Sequence, residues 1–445
     1  MQRSLTKLNW RALLLLLAFG LVVYFIYKAV RERTIPFFSP PTYQSRVTYP
    51  TEPITLTYWR PDVDPKALDA ILADYKALHP NITVKLVNQP AASYDKLLSD
   101  NQAKGTLPDI FTVRNDWLPR YQKSLVPAPT TVFTPQEYRD TFVDVAQRDL
   151  TTGDTINGLT FGISTLGLYY NADIFEAAKI AQPPKNWQEF ADVAKKLTTK
   201  NGQSISRAGV ALGTPGVTNY VDILSVLMMQ NGAQMTDSPP TKATFGLPDA
   251  NNYYPAARAV DYFNSFSNPN KSVYAWNDAL GNPVDAFAQG KLAMLIDYGY
   301  RAPLLERQNP ALNYKVASLP QLPGRDQINY ASHWDELVNK NSKHTELAWD
   351  LLRFISSREE LNKYSLASYR PASRRDMVDK QRDDRSIGVF AGQVNTSRTW
   401  YQGNNYNVEG IFADLINGAR GGLDAAVSTK AAATRVTQEI ARSRQ

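Results

Sequence analysis

The sequence predicts an α/β protein of two lobes that are joined by hinge strands and preceded by one membrane-spanning helix. Two observations predict the lobes. A βαβαβ pattern begins at Ile54, and an extended apolar run over 159–171 separates it from further α/β segments. A third observation, the apolar stretch over 12–27, predicts the membrane helix.

The apolar stretch over 12–27 has basic residues beyond both ends. About 16–19 helical residues span roughly 24–28 Å, which is close to the thickness of a bilayer core. A cleaved signal peptide is the alternative, but Tyr24–Lys28 stands where a signal peptidase needs small residues. We therefore expect an uncleaved single-pass anchor over 12–30. Its orientation is left open because positive charge flanks both ends.

A proline-rich linker is predicted over 31–53, where no helical or strand periodicity appears. At about 3.1 Å per residue it would hold the following chain up to roughly 60 Å from the bilayer. An ordered arm packed on the body is the alternative. The prolines are Pro36, Pro40, Pro41, Pro50 and Pro53.

The segment after the linker alternates strands and helices. In open sheets of this type, ligands bind beyond the carboxyl ends of the strands, which here are 59–62 and 114–117. The predicted strands are 54–59, 82–87 and 109–113, and the predicted helices are 65–78 and 94–103.

The run over 159–171 is apolar, contains two glycines and has no helical stripe, which is typical of a buried strand. Asn171 and Asn186 then stand at the starts of two amphipathic helices, over 174–180 and 187–197. A strand that leaves one α/β unit and enters another is typical of a hinge. We expect the chain to cross between lobes near Ser164–Thr165, with a ligand in the adjacent cleft.

Composition excludes several functions. The net charge of +7 is spread over the chain without an arginine-rich arm or zinc-ligand spacing, so no nucleic-acid partner is expected. The chain has no cysteine, which excludes disulfides, thiol catalysis, iron–sulfur clusters and the lipid-modified cysteine of many bacterial surface proteins. It has three histidines and no H-E-x-x-H motif, so neither a metal nor a cofactor is expected.

Several segments, in order and spacing, resemble the extracellular solute-binding proteins of ABC transporters. The resemblance covers about residues 54–445 and is greatest to the sugar-binding branch that includes maltodextrin-binding protein. The segments that carry it are 107–111, 158–171, 183–190, 286–296, 314–320, 348–357 and 369–373.

This resemblance implies a type II periplasmic-binding-protein-like fold, in which the chain crosses from one lobe to the other three times. Crossings are expected near 164, near 317–319 and near 370–373. They would divide the chain into lobe 1, residues 54–164 plus 319–370, and lobe 2, residues 165–318 plus 371–445.

A sugar site needs aromatic faces for the C–H surface of the ring and planar polar groups for the hydroxyls. The resemblance implies that the loop of Asp116 binds hydroxyls, that Tyr298 or Tyr300 stacks on the sugar, and that Trp400 lies near a second stacking position. Trp59 is equally consistent with a core position. The candidate ligand-binding residues are Trp59, Asp62, Asn115, Asp116, Trp117, Tyr298, Tyr300, Trp334, Trp400 and Tyr406.

The function implied is a membrane-anchored protein that captures a small solute, expected to be a carbohydrate, outside the cell. It would close around the solute and deliver it to the permease subunits of an ABC importer, without catalysis. Two alternatives remain: a ligand sensor that partners a membrane signalling protein, and an extracellular glycosidase. The carboxylates available to a glycosidase are Asp62, Asp116, Asp335 and Glu336.

Overall fold

The computed structural model of the chain describes Tyr24 and residues 43–444. Contacts divide the chain into two units, Met1–Gln44 and Ser45–Gln445. The predicted anchor over 12–30 lies, apart from Tyr24, outside the described residues. Within the described residues, no helix is both long enough and apolar enough to cross a bilayer.

The second unit is built of short strands and helices that alternate along the chain. The strands are β1 Ile54–Pro61, β2 Ile82–Gln89, β3 Ile110–Arg114, β4 Thr151–Thr152, β5 Thr155–Ile156, β6 Leu159–Thr160, β7 Ser164–Asn171, β8 Thr199–Asn201, β9 Ser204–Val210, β10 Leu292–Tyr298, β11 Tyr314–Ser318, β12 Asn329–Ser332, β13 Trp334–Val338 and β14 Ser397–Arg398.

The helices include the four that the sequence predicts, with ends that differ by a few residues. They are α1 Asp69–Leu78, α2 Ala91–Lys104, α3 Leu118–Tyr121, α4 Pro135–Thr141, α5 Asp144–Leu150, α6 Ala172–Ala177, α7 Trp187–Leu197, α8 Tyr220–Gln230, α9 Pro255–Ser265, α10 Pro283–Ala288, α11 Ala302–Gln308, α12 Thr345–Ile355, α13 Arg358–Ser368, α14 Arg375–Gln381, α15 Gly388–Ala391, α16 Asn405–Arg420 and α17 Ala425–Arg442.

Two sheets organise the second unit, and each forms the centre of one lobe. The first is five-stranded in the order β2-β1-β3-β13-β6. Its first three strands pair in parallel, as the βαβαβ pattern predicts, and β13 then pairs antiparallel to β3 and β6. We call the part of the chain that packs on this sheet the first lobe.

The second sheet is seven-stranded and mixed. Six of its strands follow the order β14-β12-β7-β10-β9-β8. The seventh, β11, also pairs with β7 but lies outside this order. β7 is central and nearly fully buried, because helices cover this sheet. We call the part of the chain that packs on it the second lobe. Its core contains most of the buried apolar side chains of α7–α9, α16 and α17.

The apolar run over 159–171 is not one strand. Its first residues form β6 in the five-stranded sheet, and its last eight form β7 in the seven-stranded sheet. Gly162 lies at the break, where a Cβ atom would come within 2.9 Å of the Cβ of Arg370. The run is apolar throughout because both halves are buried, although in different sheets.

The amphipathic helix α7 follows from its sequence. The Asn186 side chain accepts a hydrogen bond from Glu189 N at 2.9 Å, and the Glu189 carboxylate accepts one from Lys185 N at 2.8 Å. This reciprocal capping satisfies N–H groups that the first turn cannot. Trp187, Phe190, Ala191, Ala194 and Leu197 form the buried face.

The end of the predicted linker is an ordered arm in the structure. Arg46 forms an ion pair with Glu137 at 2.6 Å, and the ring of Tyr49 stacks on His79 with a centroid distance of 3.9 Å. The carbonyl oxygen of Pro50 accepts a hydrogen bond from the Asn81 side chain. Residues 45–52 therefore lie against the first lobe, and only 31–42 fall outside the described residues.

Candidate functional site

The chain passes between the two sheets at three places that lie side by side. Ile163 N donates to Pro371 O at 2.8 Å, which joins the first passage to the third. In the second passage, Ser332 lies opposite Ser164 where β12 pairs with β7. The sequence predicts this passage near Ala317–Leu319, at the end of β11. In the structure β12 still belongs to the second sheet, and the chain reaches the first sheet only at β13. Any opening of the lobes must bend these three segments.

One wall of the space between the lobes starts at the carboxyl end of β3. Arg114 ends this strand, and its Nε lies 3.2 Å from Oδ1 of Asp116. Asp116 is only 2% exposed, and burial raises the pKa of its carboxyl group against the opposing charge of Arg114. Neither carboxylate oxygen accepts a hydrogen bond from another described residue. Asp116 thus has two unused acceptors in a buried position.

The opposite wall is contributed by the second lobe. Asp222 lies in the first turn of α8 and accepts a hydrogen bond from the Tyr298 hydroxyl at 2.6 Å. Burial raises the pKa of Asp222, while Arg114 and the hydroxyls of Tyr298 and Tyr330 oppose that rise. The charge of Arg114 therefore acts on a carboxyl group of the second lobe.

A third carboxyl group belongs to the same cluster. Glu409 lies in α16, and burial raises its pKa while Arg114 lowers it and Asp222 raises it further. Burial disfavours the charge of Arg114, but Asp116 and Asp222 outweigh that effect and raise its pKa. The charge of Arg114 therefore acts on three carboxyl groups that come from both lobes, and Asp116 lies within ion-pair distance of it.

Aromatic rings lie beside this charged cluster. Trp117 is buried, and its indole contacts Trp334 edge-on at a centroid distance of 5.8 Å and Tyr406 at 6.3 Å. Its Nε1 donates a hydrogen bond of 2.7 Å to Oδ1 of Asn405, at the start of α16. Because Trp117 follows β3 and Asn405 belongs to the second lobe, this bond joins the lobes. We call these rings together with Arg114, Asp116, Asp222 and Glu409 the aromatic cleft.

Tyr298 and Tyr300 continue the second-lobe wall. Their rings stack at a centroid distance of 5.4 Å and an angle of 21°. Tyr298 is buried and Tyr300 is half-buried. The Arg370 guanidinium lies 5.2 Å above the Tyr300 ring, which places Tyr300 beside the third passage between the sheets.

Three predicted site residues have structural roles. Asp62 accepts a hydrogen bond from Ala91 N at 2.8 Å, at the start of α2. Trp59 is half-buried and packs against the core of the first lobe. Trp400 is 5% exposed, donates to Oγ of Ser225 at 3.0 Å and stacks on Phe412. The structure brings Asn115, Asp116, Trp117, Trp334 and Tyr406 together, with Tyr298 and Tyr300 on the facing wall.

His333 lies in the second passage and is fully paired. Its Nδ1 is 2.6 Å from Oδ1 of Asp335, and its Nε2 is 3.0 Å from Oδ2 of Asp149. Burial alone would lower the pKa of His333, but Asp335 and Asp149 raise it to about 10. Thr399 of the second lobe donates to both oxygens of Asp149 at 2.8 Å. We call His333, Asp149, Asp335 and Thr399 the hinge cluster.

A groove of about 580 Å³ also lies between the lobes. Met229 is among its lining residues, whereas the neighbouring Met228 is buried in the core of the second lobe. Asn115 and Trp400, two predicted site residues, also line it. We call this cavity the arginine groove because Arg148 and Arg398 face it from different lobes.

Two of the carboxylates considered for a glycosidase, Asp335 and Glu336, are engaged elsewhere. Glu336 is buried, lies 3.0 Å from the Arg60 guanidinium and accepts a hydrogen bond from Thr112 at 2.5 Å. Asp335 is held by His333. Across residues 43–444 and Tyr24, no group of three or more His, Asp or Glu side chains is arranged to hold a metal ion.

Sequence reasoning missed several residues of the aromatic cleft. Asp222 offers a signal, since it is the one acidic residue in the otherwise mostly apolar helix over 220–230. Asn405 follows Asn404, the N-cap of α16, and helix starts often face ligands. Tyr330 and Glu409 have no local signal, because only the meeting of distant strands and helices brings them to Asp222.

Comparison with known proteins identifies the family. The bacterial extracellular solute-binding protein family matches residues 61–361, which is more than half of the chain. The chain belongs to this family. The resemblance of the sequence is therefore confirmed, and so is the two-lobed α/β fold. The family is non-catalytic, so the chain is a solute-binding protein and the glycosidase alternative was wrong.

Individual relatives are distant. A binding protein of Brucella abortus is 24% identical over 294 residues, which cover 65% of this chain and 68% of the relative. An ABC transporter-binding protein of Deinococcus radiodurans is 25% identical over 314 residues, covering 67% and 71%. The solved sugar-binding protein MalE of Xanthomonas citri superposes with a TM-score of 0.74 at 19% identity, covering 88% of this chain and 98% of that one. At that identity the superposition shows the fold.

Proposed function

We propose that the protein captures a carbohydrate in the aromatic cleft and delivers it to an ABC importer. The observation that carries the proposal is Asp116, a buried carboxylate with two unused acceptors beside the rings of Trp117 and Trp334. Carboxylate oxygens accept hydrogen bonds from sugar hydroxyls, and the rings offer faces to the C–H surface of a pyranose. The names of the Xanthomonas and Deinococcus relatives support sugar binding and partnership with an ABC transporter.

The two walls of the cleft give a mechanism for capture. Arg114 and Asp116 come from the first lobe, whereas Asp222, Glu409 and Asn405 come from the second, and the lobes already touch through Trp117 and Asn405. A sugar that binds both walls has more contacts in the closed form than in an open one. It shifts the equilibrium towards closure by that difference in affinity.

The test is a binding screen with the full chain. Neutral mono- and oligosaccharides, polyols and amino acids are compared by thermal shift and then by calorimetry, because a ligand of the folded state raises the melting temperature by mass action. We expect at least one saccharide to bind, with Trp334→Ala weakening it by roughly 1–3 kcal/mol. Trp276→Phe, in the second-lobe core, is the matched aromatic control. Binding of amino acids alone would contradict the proposal.

The N-terminal segment supports a finer proposal about location. The sequence over 12–30 is the proposed single-pass anchor, with the solute-binding unit on the extracellular side. After alkaline extraction of membranes, the full chain should stay in the pellet, and protease added to intact spheroplasts should degrade the solute-binding unit. Release of the full chain into the soluble fraction would count against the anchor while leaving sugar binding untouched.

Transport is tested by partners. If the protein serves an importer, cross-linking in membranes should recover ABC permease subunits, and the yield should rise when the bound sugar is present. Recovery of a membrane signalling protein in place of a permease would support the sensor alternative.

A further inference from the structure

The arginine groove contains two cations that converge on one acceptor. Arg148 Nη2 and Arg398 Nη1 each donate to the carbonyl oxygen of Ser397, both at 3.0 Å. Arg148 lies in α5, which packs with β6 of the first lobe, and Arg398 lies in β14, the edge strand of the second sheet. The two guanidiniums therefore meet across the boundary between the lobes.

The surrounding carboxylates are committed to other groups. Asp149 is held by His333 and Thr399, and Asp144 is paired with Arg375. Within the described part of the chain, no carboxylate lies within ion-pair distance of either Arg148 or Arg398. A second acid that lines the groove besides Asp149, Asp237, accepts hydrogen bonds from Thr241 and from Lys242 N.

The electrostatics agree with this geometry. Loss of solvation lowers the pKa of Arg148, and the neighbouring charge of Arg398 lowers it further, against the weaker pull of Asp149 and Asp144. Two like charges held together cost free energy, and that cost falls when an anion lies between them. Guanidinium groups bind carboxylate and phosphate oxygens with matching planar geometry.

We propose that Arg148 and Arg398 bind an oxyanion group, a carboxylate or a phosphate, in the arginine groove. Bound there, the oxyanion contacts both lobes and stabilises the closed form. The volume of about 580 Å³ accommodates a solute larger than an inorganic ion, so an acidic sugar or a free anion can supply the group. This site is separate from the Asp116 region and does not depend on which neutral solute the aromatic cleft takes.

The experiment uses the full chain with four probes at equal ionic strength: inorganic phosphate, glucuronate, glucose and sodium chloride. The wild type is compared with Arg148→Gln and Arg398→Gln by thermal shift and by tryptophan fluorescence, because Trp400 lines the groove. Arg385→Gln is the control, an exposed arginine changed in the same way. Arg398→Lys keeps the charge and loses the planar fork.

We expect phosphate or glucuronate to raise the melting temperature of the wild type and of Arg385→Gln by about 2 °C or more relative to chloride. Each glutamine variant should lose at least about tenfold in affinity for that anion. A response to glucuronate without one to phosphate identifies an acidic sugar as the source, and the reverse identifies a free anion.

Equal responses of wild type and both glutamine variants, or no response beyond that of chloride, would overturn the inference. A glucose response that Trp334→Ala removes and Arg148→Gln leaves intact belongs to the aromatic cleft. Failure of the groove and failure of the proposed sugar site are therefore read separately.

Discussion

The hinge cluster and the aromatic cleft both join the two lobes, but they differ in how completely their polar groups are paired. In the hinge cluster, both ring nitrogens of His333 have carboxylate partners, and Asp149 also accepts from Thr399. In the aromatic cleft, Asp116 is equally buried but has two acceptors without a hydrogen bond from another described residue. In the hinge cluster, Oδ2 of Asp335 also lacks such a bond, but Oδ1 of that residue is held by His333. The more fully paired cluster fixes a structure, whereas the less fully paired one gains more from a ligand. We infer that the first holds the hinge and the second receives the solute.

The largest effect is expected from a substitution in the hinge cluster. His333→Gln removes a buried cation between Asp335 and Asp149 and leaves two carboxylates without their counter-charge. Losing one partner of a buried ion pair costs about 3 kcal/mol or more in free energy of unfolding. Urea denaturation measures this change. His344→Gln, outside the cluster, should change stability by less than about 0.5 kcal/mol. Similar values for both variants would show that the hinge cluster is not a structural network.

The same cluster predicts a pH dependence. The pKa of His333 is about 10 in the folded chain and about 6.5 when unfolded. Because the folded pKa is the higher one, the stabilisation is fully present below about pH 6.5 and is lost as pH rises towards 10. Urea midpoints should therefore fall between pH 7 and pH 10 in the wild type, and less steeply in His333→Gln. Parallel curves for the two proteins would contradict a charged His333.

A substitution of Asp116 in the aromatic cleft should weaken ligand binding and leave the stability of the fold nearly unchanged. Asp116→Asn removes a charge that burial disfavours, and Arg114, whose side chain is 21% exposed, keeps Asp222 and Glu409 nearby. The free energy of unfolding should therefore change by less than about 1 kcal/mol. Affinity for the bound sugar should fall by about 1.5–3 kcal/mol, the usual value of a hydrogen bond to a charged group. Calorimetry with Asp100→Asn, an exposed carboxylate on α2, as the control separates these effects. A large loss of stability with unchanged affinity would assign Asp116 to the hinge side of the comparison.

Features of the molecule that depend on neighbouring residues could be predicted from the sequence. The βαβαβ start and the capping of α7 follow from local patterns, and the structure has both. Asp116 and Trp117 could be predicted as candidate site residues because they follow a predicted strand. Trp400 was expected to face a ligand; in the structure its ring packs on Phe412, and the residue also lines the arginine groove.

Other features depend on distant parts of the chain. The hinge cluster joins residues from α5, β13 and the segment before α16, and no local pattern connects them. The run over 159–171 could not reveal its own division, because burial in one sheet and burial in two sheets require the same apolar residues. The pairing of β12 with β7 likewise depends on contacts between residues that lie far apart in sequence.

The smallest effect is expected at the hydrogen bond from Trp117 to Asn405, which joins the two walls of the aromatic cleft. Asn405→Ala removes the acceptor of Trp117 Nε1, which costs the closed form about 1 kcal/mol relative to an open form. The closed population without ligand should therefore fall by roughly fivefold relative to the open one.

Since the chain has no cysteine, dyes can be attached to Lys96→Cys and Lys430→Cys on the two lobes without background labelling. Energy transfer between them should decrease in Asn405→Ala and recover with sugar. Asn407→Ala, which loses a contact to Glu439 within the second lobe, is the control. Equal transfer in both variants would mean that the bond does not contribute to closure, and that the passages at the hinge alone set the angle between the lobes.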